Sequence, residues 1–336
     1  MTATAHDELP HDLLLAKLEE AAHAALPSYG LDPRSGVVLL NHSENTTYRI
    51  DDPVRGTKVI LRIHRIGYHS KNAIASELTW MEALRRQTPV RTPKPIAGVD
   101  GDLIGRIEIP GLTPRHCVLF EFLEGREPPE SELVGAYRML GEISARFHRQ
   151  AEGWTLPAGF ERLTWDFDHA LGARPNWGDW REAPFLDVSG TRLLERLVAV
   201  VKQRLDRFGT SRARFGLVHA DLRLANLLLH RDGIRVIDFD DSGFCWFLYD
   251  LAAALSFMED RADVADLIDS WLGGYRTVRP LSDEEQAEIP TFLMLRRLLV
   301  AAWMGSHSET DLAKSLGPRY IQGSYRLAER YLSDLG

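Results

Sequence analysis

"HADLRLANLLLHRDGIRVIDFDD", residues 219–241, sets five aspartates, two histidines and one asparagine among runs of Leu, Ile and Val. Acids beside buried strands are unfavourable unless something binds them. The apolar pieces "FGLVHADL", "NLLLH" and "IRVIDF" read as short strands joined by loops. His219, Asp221 and Asn226 have the spacing H-x-D-x-x-x-x-N, and Asp238 follows at the end of the predicted strand "IRVID". This set suits phosphoryl transfer, which asks a protein mainly for positioning and charge neutralisation. One carboxylate must orient and accept the proton of an attacking hydroxyl, and Asp221 fits that task. Hard oxygen ligands must hold Mg2+ against nucleotide phosphates, and Asn226 and Asp238 fit that one. Asp240 is available to a second ion or to the acceptor. Arg223 stands two residues after Asp221, where a cation steadies the transferring group. Asp232, in "RDG", reads as the turn between two strands, and Asp241 carries no assigned task.

The surroundings of this stretch divide the chain in two. Its 336 residues suggest two domains or lobes at about 100–200 residues each. A leading helix is predicted over 8–26 from Leu9, Leu13, Leu14, Leu18, Ala21, Ala22 and Ala25. "VVLLNHSENTTYRI", "KVILRIH", "LIGRIEI" and "CVLFEFL" then read as strands, with one helix over about 70–87. From about residue 124 the texture turns helical, as in "SELVGAYRMLGEISARFHRQ". Ser282 with Glu285 fits a capping box, and Pro290 must kink or interrupt the helix that follows. The expectation is an α+β chain with a leading helix over 1–29, a β-rich N-terminal lobe over 30–123 that binds nucleotide, and a mainly helical catalytic lobe over 124–336.

Composition narrows the function classes. A net charge of −8 argues against a general nucleic-acid binder. Two distant cysteines, Cys117 and Cys245, supply neither a zinc spacing nor a disulfide framework. No apolar run reaches the roughly 18–20 residues of a membrane span. A soluble cytoplasmic protein is expected, with neither nucleic acid nor membrane as a partner.

The H-x-D-x-x-x-x-N spacing followed by "IDFDD" and "FLYDLA" resembles the aminoglycoside phosphotransferase and choline kinase family, a protein-kinase-like fold acting mostly on small molecules. The resemblance covers roughly residues 30–335. "SENTTYRI", "ILRIHR", "SELTWMEALR" and "RRLLVAAW" place it nearest type II homoserine kinases and bacterial stress-response kinases. Ala220 stands where the family commonly has Gly. The resemblance implies ATP as co-substrate, with GTP as the alternative, and Mg2+. It gives His219 and Asp250 the task of supporting the catalytic loop.

In the N-terminal lobe "VILR" matches the kinase V-A-I-K pattern with Arg62 in the lysine position, Lys58 being the alternative cation. Ile74, Leu78, Met81 and Leu84 form the apolar face of the following helix, and Glu77 falls within it. An inward acid wants a partner. Arg62 is the natural one, and the resemblance implies the same pair; the other reading has Glu77 facing solvent. The turn in "NHSENTTYR" has no glycine, so Ser43, Asn45 and Thr46 are the candidates to cover phosphate. Backbone groups of about Glu121–Leu123 would read the base. Trp165, Trp177 and Trp180 are candidates for an acceptor wall, against the reading that they pack the core; with nearby acids they would suit a cationic amine. Arg296 or Arg297 would instead suit an acceptor carboxylate or phosphate.

The expected activity is phosphoryl transfer from a nucleotide triphosphate to a small hydroxylated, amine-bearing molecule such as an aminoglycoside, homoserine or a choline-like alcohol. A stress-response type Ser/Thr protein kinase, a pseudokinase scaffold and a metal hydrolase built on His219, Asp221, Asp238 and Asp240 are the alternatives.

Overall fold

Alternating apolar residues build the first part of the chain. In a computed structural model that describes residues 9–43, 45–308 and 310–336, it opens with helix α1 (His11–Ala25) and strands β1 (Gly36–His42), β2 (Asn45–Asp52) and β3 (Thr57–His64). Helix α2 (Lys71–Gln87) and strands β4 (Pro95–Ile96), β5 (Gly105–Ile109) and β6 (Leu112–Glu121) follow. The strands form one antiparallel sheet in the order β1-β2-β3-β6-β4, with β5 on β6. Period-two alternation sends Val59, Leu61 and Ile63 of β3 to one face, where they meet Leu18, Ala21, Ala22 and Ala25 of α1 in a single apolar cluster. Arg62 and His64 therefore point to the opposite face. Helix α2 starts where the Ser70 hydroxyl accepts the Ala73 N–H (3.0 Å). Residue 8, the expected first residue of α1, and the rest of 1–8 lie outside the described residues.

The second part contains α3 (Leu133–Gly153), β7 (Leu163–Thr164), α4 (Phe167–Ala170), α5 (Val188–Phe208), β8 (Phe215–Val218), β9 (Leu227–His230), β10 (Gly233–Val236) and β11 (Gly243–Trp246). It closes with α6 (Tyr249–Ala254), α7 (Val264–Tyr275), α8 (Asp283–Ala287), α9 (Ile289–Ser306) and α10 (Asp311–Leu335). Strands β7, β11 and β8 form a small sheet. Helices α3 and α7 lie in close contact because Gly141 and Gly274 carry no Cβ; one at either position would run into the carbonyl of Trp271 or of Arg138. The capping box is present, with Ser282 Oγ and Glu285 bonded reciprocally. Pro290 starts a new helix rather than kinking one: α8 ends at Ala287, and the proline occupies the first turn of α9, where no N–H is needed.

Two compact units result. The first comprises the described residues up to Gly125 with 156–161 and 230–240; the second comprises 126–155, 162–229 and 241–336. One of the divisions falls between Asp240 and Asp241.

Two local expectations change, and two short strands are added. The predicted strand "IRVID" stops at Val236, and Asp238 adopts φ +67, a left-handed turn that Asp tolerates better than most residues. Asn45 and Thr46 begin β2 and are buried rather than lying in an open turn. Strands β7 and β11 have no strong pattern of their own. They are two and four residues long, and their pairing holds them.

Candidate active site

In the second unit, the loop between β8 and β9 holds Asp221 from three sides. Arg296 Nη2 donates to Oδ1 (2.7 Å), and Arg223 Nε (3.0 Å) and Asn226 Nδ2 (2.9 Å) donate to Oδ2. The Asp221 side chain stays 13% exposed, so an incoming hydroxyl can reach it. Burial by itself would raise its proton affinity, but Arg223 and Arg296 outweigh burial and hold the carboxyl below its usual value. Asn226 Nδ2 also donates to the Asp221 carbonyl (2.9 Å). That fixes the amide so that its oxygen, a hard acceptor, is left for a cation.

The loop is braced from behind. Asp250, fully buried at the second position of α6, accepts the N–H groups of Ala220 (2.8 Å) and His219 (3.3 Å). His219 is buried too, and its Nδ1 accepts the Asp221 N–H (3.3 Å). Ala220 adopts φ +66, a region that favours glycine. Behind Asp250 runs a chain of donors. Arg279 donates to the Tyr275 hydroxyl (3.1 Å), Tyr275 to His148 Nδ1 (3.0 Å), and His148 Nε2 to Asp250 (3.0 Å). With Asp250 accepting, His148 carries a proton on Nε2. Burial, helped by Arg279, lowers its pKa against the opposing pull of Asp250 and Glu152. The sign follows from linkage. The unfolded chain takes up this proton near 6.5 and the folded one does so only at lower pH, so stability present above 6.5 is lost as pH falls. The unfolding temperature is expected to drop on acidification below about pH 6.5. His148→Gln is expected to reduce that drop in a thermal scan at pH 7.5 and pH 5.5.

In the first unit, Asp238 and Asp240 flank Phe239, which is buried edge-on against Trp80 of α2 (5.8 Å). The apolar anchor and the turn at Asp238 bring both acids to one spot. Burial and the adjacent Asp238 raise the Asp240 pKa well above its usual value, against the pull of Arg62. Asn45 Nδ2 donates to Asp240 Oδ2 (2.6 Å), and the His69 ring bonds the Asp240 carbonyl (2.7 Å). Two crowded carboxyls, one pushed toward its neutral form, are a donor set that a divalent cation suits. Arg62 Nη2 pairs with Glu77 Oε1 at 2.7 Å, both side chains nearly or fully buried. The charges of Glu77, Asp240 and Asp238 around Arg62 raise its pKa, against burial. Lys58 is exposed near the other end of β3.

The remaining candidates are placed as follows. Ser43 follows β1 in the short turn, and its N–H donates to the Asn45 carbonyl (3.0 Å). Thr46 Oγ1 bonds His42 (2.8 Å). Glu121 ends β6 with its N–H on the Lys94 carbonyl (2.9 Å), and Leu123 lies in the linker beyond. Trp165, Trp177 and Trp180 are 1%, 6% and 1% exposed. Trp165 donates Nε1–H to the Asp241 carbonyl (2.8 Å) and meets Trp177 edge-on (4.9 Å). Arg297 is fully engaged by Glu259 (2.8 Å), Ser324 (2.9 Å) and the Tyr320 carbonyl (2.9 Å). Asp232 lies in the β9–β10 turn beside His230 and Arg231. Among the described residues no three His, Cys, Asp or Glu side chains gather as a metal cluster. A Mg2+ site needs none, because it takes one or two carboxylates with substrate phosphates and water. Sequence reasoning missed the Asp221–Arg296 pair and the His148–Asp250 bond. The first had a visible signal in two arginines inside the apolar run "FLMLRRLLVAAW".

Comparison with known proteins matches residues 36–281 to the phosphotransferase enzyme family. The chain belongs to this family. It is an ATP-dependent phosphotransferase acting on hydroxyl groups of small molecules, and its fold is the protein-kinase-like one of aminoglycoside phosphotransferases and choline kinases. It is similar to the solved structure of a microcompartment-associated aminopropanol kinase: 41% identity, TM-score 0.86, covering 94% of this chain and 98% of that one. It is 26% identical to a homoserine kinase of Methylobacillus glycogenes over 77% of this chain and 78% of the other. An amicoumacin kinase solved with AMP-PNP, Ca2+ and its antibiotic shares the fold at TM-score 0.73 and 24% identity, covering 95% of this chain and 94% of that one. No helix among the described residues is long and apolar enough to cross a membrane.

Proposed function

We propose that the protein transfers the γ-phosphate of ATP, with Mg2+, to the hydroxyl of a small amino alcohol of the aminopropanol type. The observation that carries the chemistry is the Asp221–Asn226 pair, with a partly exposed carboxylate beside an amide whose oxygen is left for a cation. Asp221 orients the acceptor hydroxyl and receives its proton as the phosphoryl group arrives; a carboxylate held low suits orientation more than early abstraction. Arg223 neutralises charge on the transferring group. Asn226 and Asp238 are the ligands proposed for Mg2+, which neutralises phosphate charge when bound. Asp240 serves a second ion or the acceptor. Arg62, set by Glu77, positions phosphate, with Ser43, Asn45 and Thr46 nearby in the chain. Linker backbone around Leu123 reads the base, while Glu121, whose N–H is taken, helps end the sheet. Trp177 is the one tryptophan of the three that we retain for the acceptor side, through its contact with Arg296 (5.3 Å).

Two facts support an amino alcohol over an amino acid. The aminopropanol kinase is similar over nearly its whole length. Both arginines of α9 are bound internally, Arg296 to Asp221 and Arg297 to Glu259, so neither is held ready for a substrate carboxylate. ADP release is to be measured with MgATP, and GDP release with MgGTP. The panel is aminopropanol, ethanolamine, choline, homoserine, an aminoglycoside and a denatured protein. Aminopropanol is expected to exceed homoserine by about tenfold or more in kcat/KM, since an unpaired buried charge costs at least that factor. Equal or better use of homoserine would overturn the acceptor class. Nucleotide binding with no turnover on any acceptor would favour a pseudokinase.

A further inference from the structure

Arg296 sits in the middle of α9 among Leu295, Leu298 and Leu299, and is 3% exposed. A buried guanidinium is strongly unfavourable unless its nitrogens are partnered. Here all three are. Nε donates to Ser256 Oγ (2.8 Å), Nη1 to the Tyr249 hydroxyl (2.9 Å) and the Ala220 carbonyl (3.2 Å), and Nη2 to Asp221 Oδ1 (2.7 Å). The Trp177 and Tyr249 rings lie 5.3 and 5.6 Å from its carbon. Two of these four bonds go to the loop that carries the base.

The two loop bonds act together. Ala220, at φ +66, is in a conformation a side-chain-bearing residue adopts reluctantly. Its N–H is held by Asp250 and its C=O by Arg296, so both polar groups of the strained residue are tied to buried charges on different helices. The same guanidinium fixes Oδ1 of the next residue. Asp221 therefore presents only its Oδ2 edge, the edge that Arg223 and Asn226 share. A planar, forked cation can hold a backbone carbonyl and a carboxylate at once; a lysine cannot do both in one geometry.

We propose that Arg296 is the positioning residue of the base, clamping the Ala220 carbonyl and Asp221 Oδ1 so that one carboxylate edge faces the acceptor hydroxyl. It acts through Asp221 and touches no substrate. The proposal rests on Asp221 being the base. Arg297 supplies an internal control. It is equally buried, one position along the same helix, and its charge partner is Glu259, with no bond to the catalytic loop.

The test compares Arg296→Met, Arg296→Lys and Arg297→Lys by ADP release with MgATP and aminopropanol, together with thermal unfolding. Misplacement of a catalytic group by about 1 Å lowers rate about a hundredfold, so Arg296→Met is expected to lose about that much in kcat. Both KM values are expected to stay within about threefold, because no ground-state contact is removed. Arg296→Lys keeps the charge but not the fork, and is expected to recover about tenfold of the loss. Arg297→Lys is expected to unfold at lower temperature yet keep kcat within about threefold. If Arg296→Met does not fold, Arg296→Lys carries the test, with a kcat about tenfold below wild type at unchanged KM. A folded Arg296 variant with wild-type kcat overturns the proposal, and so does a raised acceptor KM at constant kcat. Wild-type inactivity on aminopropanol sinks the acceptor assignment alone. The variants are then compared with the panel acceptor that wild type does turn over or, failing any, by acceptor-free ADP release, with the same loss expected and wild-type rates again overturning the clamp.

Discussion

Asp221→Asn is expected to lower kcat about 10³-fold while the KM for ATP stays within about threefold. The substitution keeps the shape of the side chain and removes its charge and basicity. A hydroxyl attacking phosphorus then loses the group that orients it and takes its proton. A second consequence follows from the surroundings. Arg223 and Arg296 both donate to this carboxylate, so the amide leaves two cations without their anion. Its NH2 group also faces a donor on whichever side it points. Rotation of the loop, and not only loss of the proton acceptor, then contributes to the deficit. ADP release and thermal unfolding measured together separate the parts. A kcat within tenfold of wild type would remove Asp221 from the chemistry.

Loss of Glu77 is expected to destabilise the protein by about 3–5 kcal/mol, the usual consequence of leaving one member of a buried pair alone. Glu77 is fully buried, and its Oε1 lies 2.7 Å from Arg62 Nη2. Glu77→Ala strands the guanidinium beneath the Phe120 ring, which lies 5.1 Å away. Asp238 and Asp240 remain as its nearest acids, and Arg62 is drawn toward them. The double substitution Arg62→Met with Glu77→Leu is expected to regain part of the stability, because neither member of the pair is left alone, while Asp240 loses the pull of Arg62. It would still bind MgATP poorly, since the proposed phosphate contact is gone. Urea unfolding and nucleotide titration on the single and double variants test both halves. A Glu77→Ala protein within 1 kcal/mol of wild type would show that the pair is not the one holding this face of β3.

Much of this was legible in the chain itself, and the residues show why. Alternation along "KVILRIH" places Arg62 opposite Leu61 and Ile63, and helical spacing in α2 puts Glu77 on the inward face; both are short-range geometry. Turn chemistry of the same range located the capping box at Ser282. The spacing of His219, Asp221 and Asn226 survives folding because those residues share one loop, and the resemblance to the family rested on that spacing together with "IDFDD" and "FLYDLA".

Tertiary structure decided what lies far apart in sequence. Asp221 and Arg296 are 75 residues apart, and His148 and Asp250 are 102 apart. No periodicity specifies which buried charge meets which. The sequence offered Arg296 to a substrate anion; packing gave it to Asp221, because a buried guanidinium is tolerable only with every nitrogen bonded. Packing likewise put Trp165 and Trp180 into the core and ended β10 two residues before Asp238. Sequence by itself determined the order of the elements and singled out the groups proposed to react, since both depend on local spacing. The fold alone decided their charge partners, their exposure and the direction each one faces, since those depend on desolvation and on neighbours brought together from distant parts of the chain.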